Sequence, residues 1–166
     1  MGIKIAEVKT EEELCIVAEL AEKIWHECFI GIISEEQIGY MVEKFQSYNA
    51  MKDQVVNQDY HYLAFRDDDD ICGYIAVKPE KDERFFLSKL YLRKDKRGQG
   101  IASKMLEKVF EEAKNSGKSM VYLTVNKHND HAVKVYKKTG FQIVESVVTN
   151  IGNGFVMDDF VMEYKL

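Results

Sequence analysis

The stretch Leu90-Tyr-Leu-Arg-Lys-Asp-Lys-Arg-Gly-Gln-Gly-Ile-Ala102 passes from an apolar strand pattern, through a basic loop, into the first turn of a helix. Glycines at 98 and 100 let the backbone approach a ligand closely, and the amides that open a helix have no intrahelical acceptor. The helix dipole adds positive potential at the same end. Arg93, Lys94, Lys96 and Arg97 surround this turn on a chain whose net charge is -5. Together these features describe an anion cradle on an acidic protein. The loop has neither the GxxxxGK[ST] nor the GxGxxG spacing, so it matches neither common nucleotide signature.

The helix that follows the loop carries Ile101, Met105, Leu106, Val109, Phe110 and Ala113 on one face, and Gly117 is placed to end it. Val121–Val125 reads as a strand, and Asn129–Lys138 as a second crossover helix closed by Gly140. Two strands near Phe141–Val148 and Phe155–Tyr164 finish the chain. Upstream, Arg84–Leu92 is a strand, preceded by a hairpin of Tyr60–Arg66 and Ile71–Val77 around Asp67–Asp70. Before it, Ile3, Ile5 and Val8 suggest a short strand. Thr10 with Glu13 forms a capping box for a helix running to about Cys28. Ser34 with Gln37 caps the next helix, lined by Ile38, Met41, Val42 and Phe45, and a shorter helical piece spans about Ala50–Val56. The alternation predicts an α/β fold: a mixed, mostly antiparallel central sheet flanked by helices in a three-layer α/β/α sandwich.

Composition bounds the function. At 166 residues, 46% hydrophobic and 31% charged, the chain fits one domain with a full core, residues 1–166. No apolar run reaches membrane-span length, and MGIKIAEVKT lacks the apolar core and cleavage site of a signal peptide. Cys15, Cys28 and Cys72 are odd in number and in no CxxC pair, which points to packing thiols in a reducing cytoplasm. The acidic balance argues against a nucleic-acid partner, and no aromatic stacking motif accompanies the basic loop. His128 and His131 flank Asp130 without a complete ligand set, and Asp67–Asp70 lacks calcium-loop spacing, so no metal is expected. An edge strand could pair two copies into a homodimer.

Two motifs carry a family resemblance. Arg97-x-x-Gly100-x-Ala102 resembles the pyrophosphate signature [QR]-x-x-G-x-[GA] of the GCN5-related N-acetyltransferases (GNATs). About thirty residues on, after a strand, Asn129-x-x-Ala132-x-x-x-Tyr136-x-x-x-Gly140-Phe141 is similar to that family's later signature. Residues 84–142 carry the specific likeness. The run from Ile24 through Trp25 to Gln46 has the look of polyamine and small-amine members.

The resemblance implies acyl transfer, usually of acetyl, from coenzyme A to a primary amine. It implies that the amides of Gly98, Gln99, Gly100, Ile101 and Ala102 hold the pyrophosphate, with Arg97 flanking and Ser103 donating a further bond. Backbone groups of Leu90, Tyr91 and Leu92 would run beside the pantetheine arm and donate to the carbonyl oxygen as charge develops on it. Asn129 would bind the cofactor. Tyr136 would protonate the departing thiolate: a thiol titrates near about 8.5 and a phenol near about 10. Many members carry a glutamate base on the strand before the loop, but here the stretch reads Leu87-Ser88-Lys89-Leu90. His26, Glu27 and Tyr40 are the candidate contacts for the acceptor. A non-catalytic acyl-coenzyme A module and an acetyltransferase of peptide amines are the competing functions.

Overall fold

The structure is a computed structural model and describes residues 2–166. The described strands are hydrogen-bonded into a mixed and mostly antiparallel sheet, as the sequence predicts. The chain divides into two compact units.

The first unit covers the residues up to Lys78 together with Leu87–Val109. Here β1 (Ile3–Glu7), β2 (His61–Asp67) and β3 (Asp70–Pro79) pair antiparallel, and β4 (Arg84–Leu92) enters with its second half. Helix α1 (Glu11–Phe29) starts at the expected box: Thr10 Oγ1 accepts from the Glu13 amide at 3.1 Å, and Glu13 Oε1 accepts from the Thr10 amide at 3.2 Å. Its apolar stripe of Leu14, Val17, Ala21 and Ile24 is buried with Met51 of α3 (Tyr48–Asn57) against Tyr62, Ala64, Tyr74 and Ala76 of the hairpin. Each of the large side chains contributes about 1.5–3 kcal/mol by leaving water. The hairpin register explains the fit, since Tyr62 sits opposite Ala76 and Ala64 opposite Tyr74. Each tyrosine thereby faces a small residue, and the two rings stack diagonally at 6.3 Å. The other face of β3 meets α4 (Ile101–Asn115): a Cβ on Gly73 would lie 3.2 Å from Met105 Cε. This unit is therefore layered helix–sheet–helix.

The apolar pattern from Ile38 to Phe45 predicts a single helix. Instead α2 (Glu35–Met41) gives way to a π-turn over Val42–Gln46, and α3 starts afresh on its own N-cap, Ser47.

The second unit comprises Pro79–Phe86 and Phe110–Leu166. β4 pairs in parallel with β5 (Met120–Asn126) over Arg84–Phe86. β5 then pairs antiparallel with β7 (Phe155–Lys165), and β7 with β6 (Gln142–Gly152). Helix α5 (Asp130–Thr139) packs its end on an aromatic group, with Phe110–Tyr164 centroids at 4.2 Å, Phe141–Tyr164 at 5.4 Å and Tyr136–Phe141 at 5.6 Å. The last hairpin runs longer than expected because Asn153 and Gly154, at φ 55° and 79°, make its tight turn.

Candidate active site

The basic loop is built as a rigid platform. Arg93 is fixed at both ends: its amide donates to the Cys72 carbonyl at 2.8 Å, and its guanidinium bridges Asp70 (2.5 Å) and both carboxylate oxygens of Asp95 (2.7 and 3.0 Å). Lys96 is paired with Asp67 at 2.9 Å. These two cations, expected to serve an anion, are instead neutralised by neighbouring carboxylates and hold the loop's shape. The sequence spacing could not show this, because Asp67 and Asp70 come from the hairpin turn. Lys94 is exposed, and the Arg97 guanidinium donates to a neutral partner, Cys28 Sγ at 2.7 Å, so within this loop these two keep positive charge for a ligand. Burial is the first cause that pushes the Cys28 thiol up, against the pull of Arg97, so the pair is neutral thiol and cation.

A short 3-10 turn over Lys94–Lys96 leads to Gly98 and Gly100, at φ 78° and 79°, and then to α4 at Ile101. L side chains rarely adopt that backbone, and space beyond both glycines is open: a Cβ on either meets nothing within 4 Å. Two left-handed glycines before the opening turn of a helix turn successive amides outward, which fits a pyrophosphate group. Ser103 is exposed one turn in. On β4, Leu92 is buried and Leu90 and Tyr91 are half-buried. The Tyr91 ring packs on Trp25 and Tyr74, with centroids at 5.6 Å in both contacts. Gly73 makes this arrangement possible, since a Cβ there would stand 2.7 Å from the Tyr91 carbonyl oxygen.

In the second unit, Asn129 caps α5, its side chain accepting from the Ala132 amide at 3.3 Å. Gly140 closes the helix at φ 122°. Tyr136 is buried (9% exposed), and burial raises its phenol further above the usual value, so it stays protonated at any physiological pH. His128 and His131 are exposed, and the described residues contain no group of three or more metal-type ligands.

Asp159 of β7 was not anticipated. It is 5% exposed, and burial, reinforced by Asp158 and opposed by Lys127, raises its carboxyl to about 6. An unfolded aspartate titrates near about 3.9, so the folded state holds an extra proton between these values. That contribution to stability is complete below about pH 4 and is lost as pH rises through about 6. Asp159→Asn should therefore melt progressively higher than wild type as pH climbs from 4 to 7. A Tm difference that does not change with pH would contradict this.

The acceptor candidates separate. A cleft of about 370 Å³ opens between α1, α2 and the π-turn, lined by Glu19, Glu22, His26, Glu43, Gln46 and Tyr48 among others. His26 is in it. Glu27 and Tyr40 are not among its lining residues; Glu27 Oε1 is buried without a hydrogen-bond partner, and Tyr40 OH accepts from Lys44 at 3.4 Å. Glu19 and Glu22, one helical turn apart, and Glu43 were missed. Their signal is the i, i+3 spacing on the polar face of α1, but only tertiary packing brings Glu43 beside them.

The architecture and these features are those of an acyltransferase fold, and the comparisons agree. A family model described as "Acetyltransferase (GNAT) domain" matches residues 29–163. The chain is 31% identical over 134 residues to an uncharacterized N-acetyltransferase of Mycobacterium tuberculosis, covering 81% of this chain and 85% of that one. It is 26% identical to spermidine N(1)-acetyltransferase of Thermoplasma acidophilum, across 99% and 98% of the two chains. The crystal structure of PaiA N-acetyltransferase from Thermoplasma acidophilum in complex with coenzyme A superposes with TM-score 0.82 at 25% identity, covering both chains fully. The protein belongs to the GNAT family of acetyltransferases. No helix among its described residues is long and apolar enough to cross a membrane.

Proposed function

We propose that the protein, acting as a single N-acetyltransferase domain in the cytoplasm, moves an acetyl group from acetyl-coenzyme A to the nitrogen of a small cationic amine of the polyamine class. Acetyl-coenzyme A supplies the activated thioester. The amides of Gly98 to Ala102, with Arg97 and Ser103, hold its pyrophosphate, and Leu90 to Leu92 present backbone groups along its arm. Asn129 contributes to cofactor binding and Tyr136 hydrogen-bonds to the sulfur as negative charge builds there.

The acidic cleft carries the choice of acceptor. Three carboxylates around one opening favour a ligand with several ammonium groups, and the spermidine N(1)-acetyltransferase relative supports the same class. An alkylammonium must lose a proton before it attacks, being protonated below about 10.4, and His26, which lines the cleft, is a side chain suited to take it. With spermidine as acceptor, Glu19→Gln, Glu22→Gln and Glu43→Gln should each raise KM by up to about tenfold, one charge-assisted contact. Coenzyme A affinity, read by calorimetry, should stay unchanged. Unaltered KM in all three variants would move the acceptor site elsewhere.

A further inference from the structure

β4 buries alternate residues, Phe85, Leu87 and Lys89. The first two are the apolar side chains that such a face demands; the third is a lysine, only 4% exposed. Its Nζ donates to the Phe45 carbonyl at 2.5 Å, to Gln54 Oε1 at 2.9 Å and to the Tyr62 hydroxyl at 2.6 Å, and stands 5.2 Å from the Tyr62 ring centroid. Every one of these partners is neutral. Burial pulls the amine down to about 7 from its ordinary 10.5. An ammonium makes all three bonds while the Tyr62 hydroxyl donates to Gln54 Oε1 at 2.5 Å; a neutral amine keeps two donors, enough for the Phe45 and Gln54 oxygens, and takes the Tyr62 proton only at the expense of the Tyr62–Gln54 bond.

A buried cation without a counter-ion is costly, and a methionine of similar length would fill the slot at less expense. The lysine's contribution therefore lies in what its donors hold. Phe45 belongs to the π-turn, and the last carbonyls of a helical segment have no intrahelical partner. Lys89 and the Gln54 amide, at 3.1 Å, both satisfy the Phe45 oxygen. The same turn contributes Val42, Glu43 and Gln46 to the acidic cleft, and the buried Gln46 side chain accepts from the Tyr74 hydroxyl at 2.9 Å. The turn that shapes the cleft wall is thus fastened from below, at Phe45 by Lys89 of β4 and at Gln46 by Tyr74 of β3. Single π-turns within helices are concentrated at functional sites.

We propose that Lys89 is a positioning residue for the acceptor amine: by gripping the Phe45 carbonyl it fixes the π-turn that presents Glu43 to the cleft. The proposal rests on the cleft being the acceptor site. It assigns Lys89 no contact with the amine and no proton to transfer.

The test uses Lys89→Met and Lys89→Gln in the full chain, with acetyl-coenzyme A and spermidine as substrates. Both variants should unfold cooperatively and keep wild-type coenzyme A affinity. Amide hydrogen exchange over residues 42–47 should speed up by about tenfold or more, with α4 unchanged. KM for spermidine should rise by about tenfold while kcat stays within about threefold. Adding Glu43→Gln to Lys89→Met should raise KM little further, because both changes remove the same contact. Unchanged exchange at 42–47, additive KM effects, or failure of both variants to fold would overturn the proposal and leave Lys89 a core residue only. If instead Glu43→Gln alone leaves the wild-type KM unaltered, or wild type does not acetylate spermidine, the acceptor reading of the cleft fails. The exchange result still reports whether Lys89 holds the turn.

Discussion

Tyr136→Phe should lower turnover by roughly 10²-fold while leaving the fold and coenzyme A affinity intact. Only one oxygen is lost, and the ring keeps its edge contact with Phe141. The phenol of Tyr136 is raised by burial above its ordinary value, whereas a departing thiolate has a conjugate acid near about 8.5. Complete proton transfer from phenol to thiolate is thus uphill, so in the proposed mechanism the hydroxyl would contribute a hydrogen bond that strengthens as charge reaches the sulfur. An interaction made only at that stage appears in kcat, not in KM. The same burial predicts that wild-type kcat shows no loss from Tyr136 ionisation up to about pH 10. Full activity in the Phe variant, measured where chemistry limits the rate, would remove Tyr136 from the mechanism. Loss of coenzyme A affinity would make it a cofactor-positioning residue.

Gly100→Val should be as damaging, by another route. A Cβ at Gly100 meets no protein atom, so no clash inside the protein opposes the substitution. The penalty is conformational: at φ 79° a β-branched residue is strained, and the loop relaxes by turning its amides away from the anion. In the proposed binding mode the new side chain would also fill the open space beside the pyrophosphate. Coenzyme A affinity should fall by at least about 10²-fold, with a small change in Tm because the loop lies at the surface. Gly100→Ala, which adds the same strain with less bulk, should fall between. Wild-type affinity in the Val variant would show that the pyrophosphate is held elsewhere.

Much of this loop was legible in the sequence, because glycine, helix start and basic charge lie within a dozen consecutive residues. The caps were legible for the same reason: Thr10 with Glu13, Asn129 with Ala132 and Gly140 after Thr139 are local devices. What escaped depends on residues distant in sequence. Arg93 and Lys96 read as free cations until the hairpin turn brings Asp70 and Asp67 to them. Lys89 stands out in the sequence only as part of the stretch that lacks the family's glutamate, and its buried role escapes because its partners lie 27 to 44 positions away. The π-turn is invisible to apolar spacing, because Ile38, Met41, Val42 and Phe45 fit an unbroken α-helix equally well. Cys15, expected to pack, is exposed, whereas Cys72 is buried. The long β6–β7 hairpin did carry a signal, Asn153-Gly154, that strand patterning alone passed over.

Steady-state thiol release from acetyl-coenzyme A in the presence of spermidine decides whether the protein transfers acetyl to a small polycationic amine. The assay is compared with spermine, free amino acids and short peptides, and products are identified by mass spectrometry. Thiol release that depends on spermidine or spermine, matched mole for mole by a mono-acetylated amine and reduced by roughly 10²-fold in Tyr136→Phe, is the predicted result. Tight binding of acetyl-coenzyme A with no amine-dependent thiol release from any acceptor, or turnover confined to peptides, would contradict it.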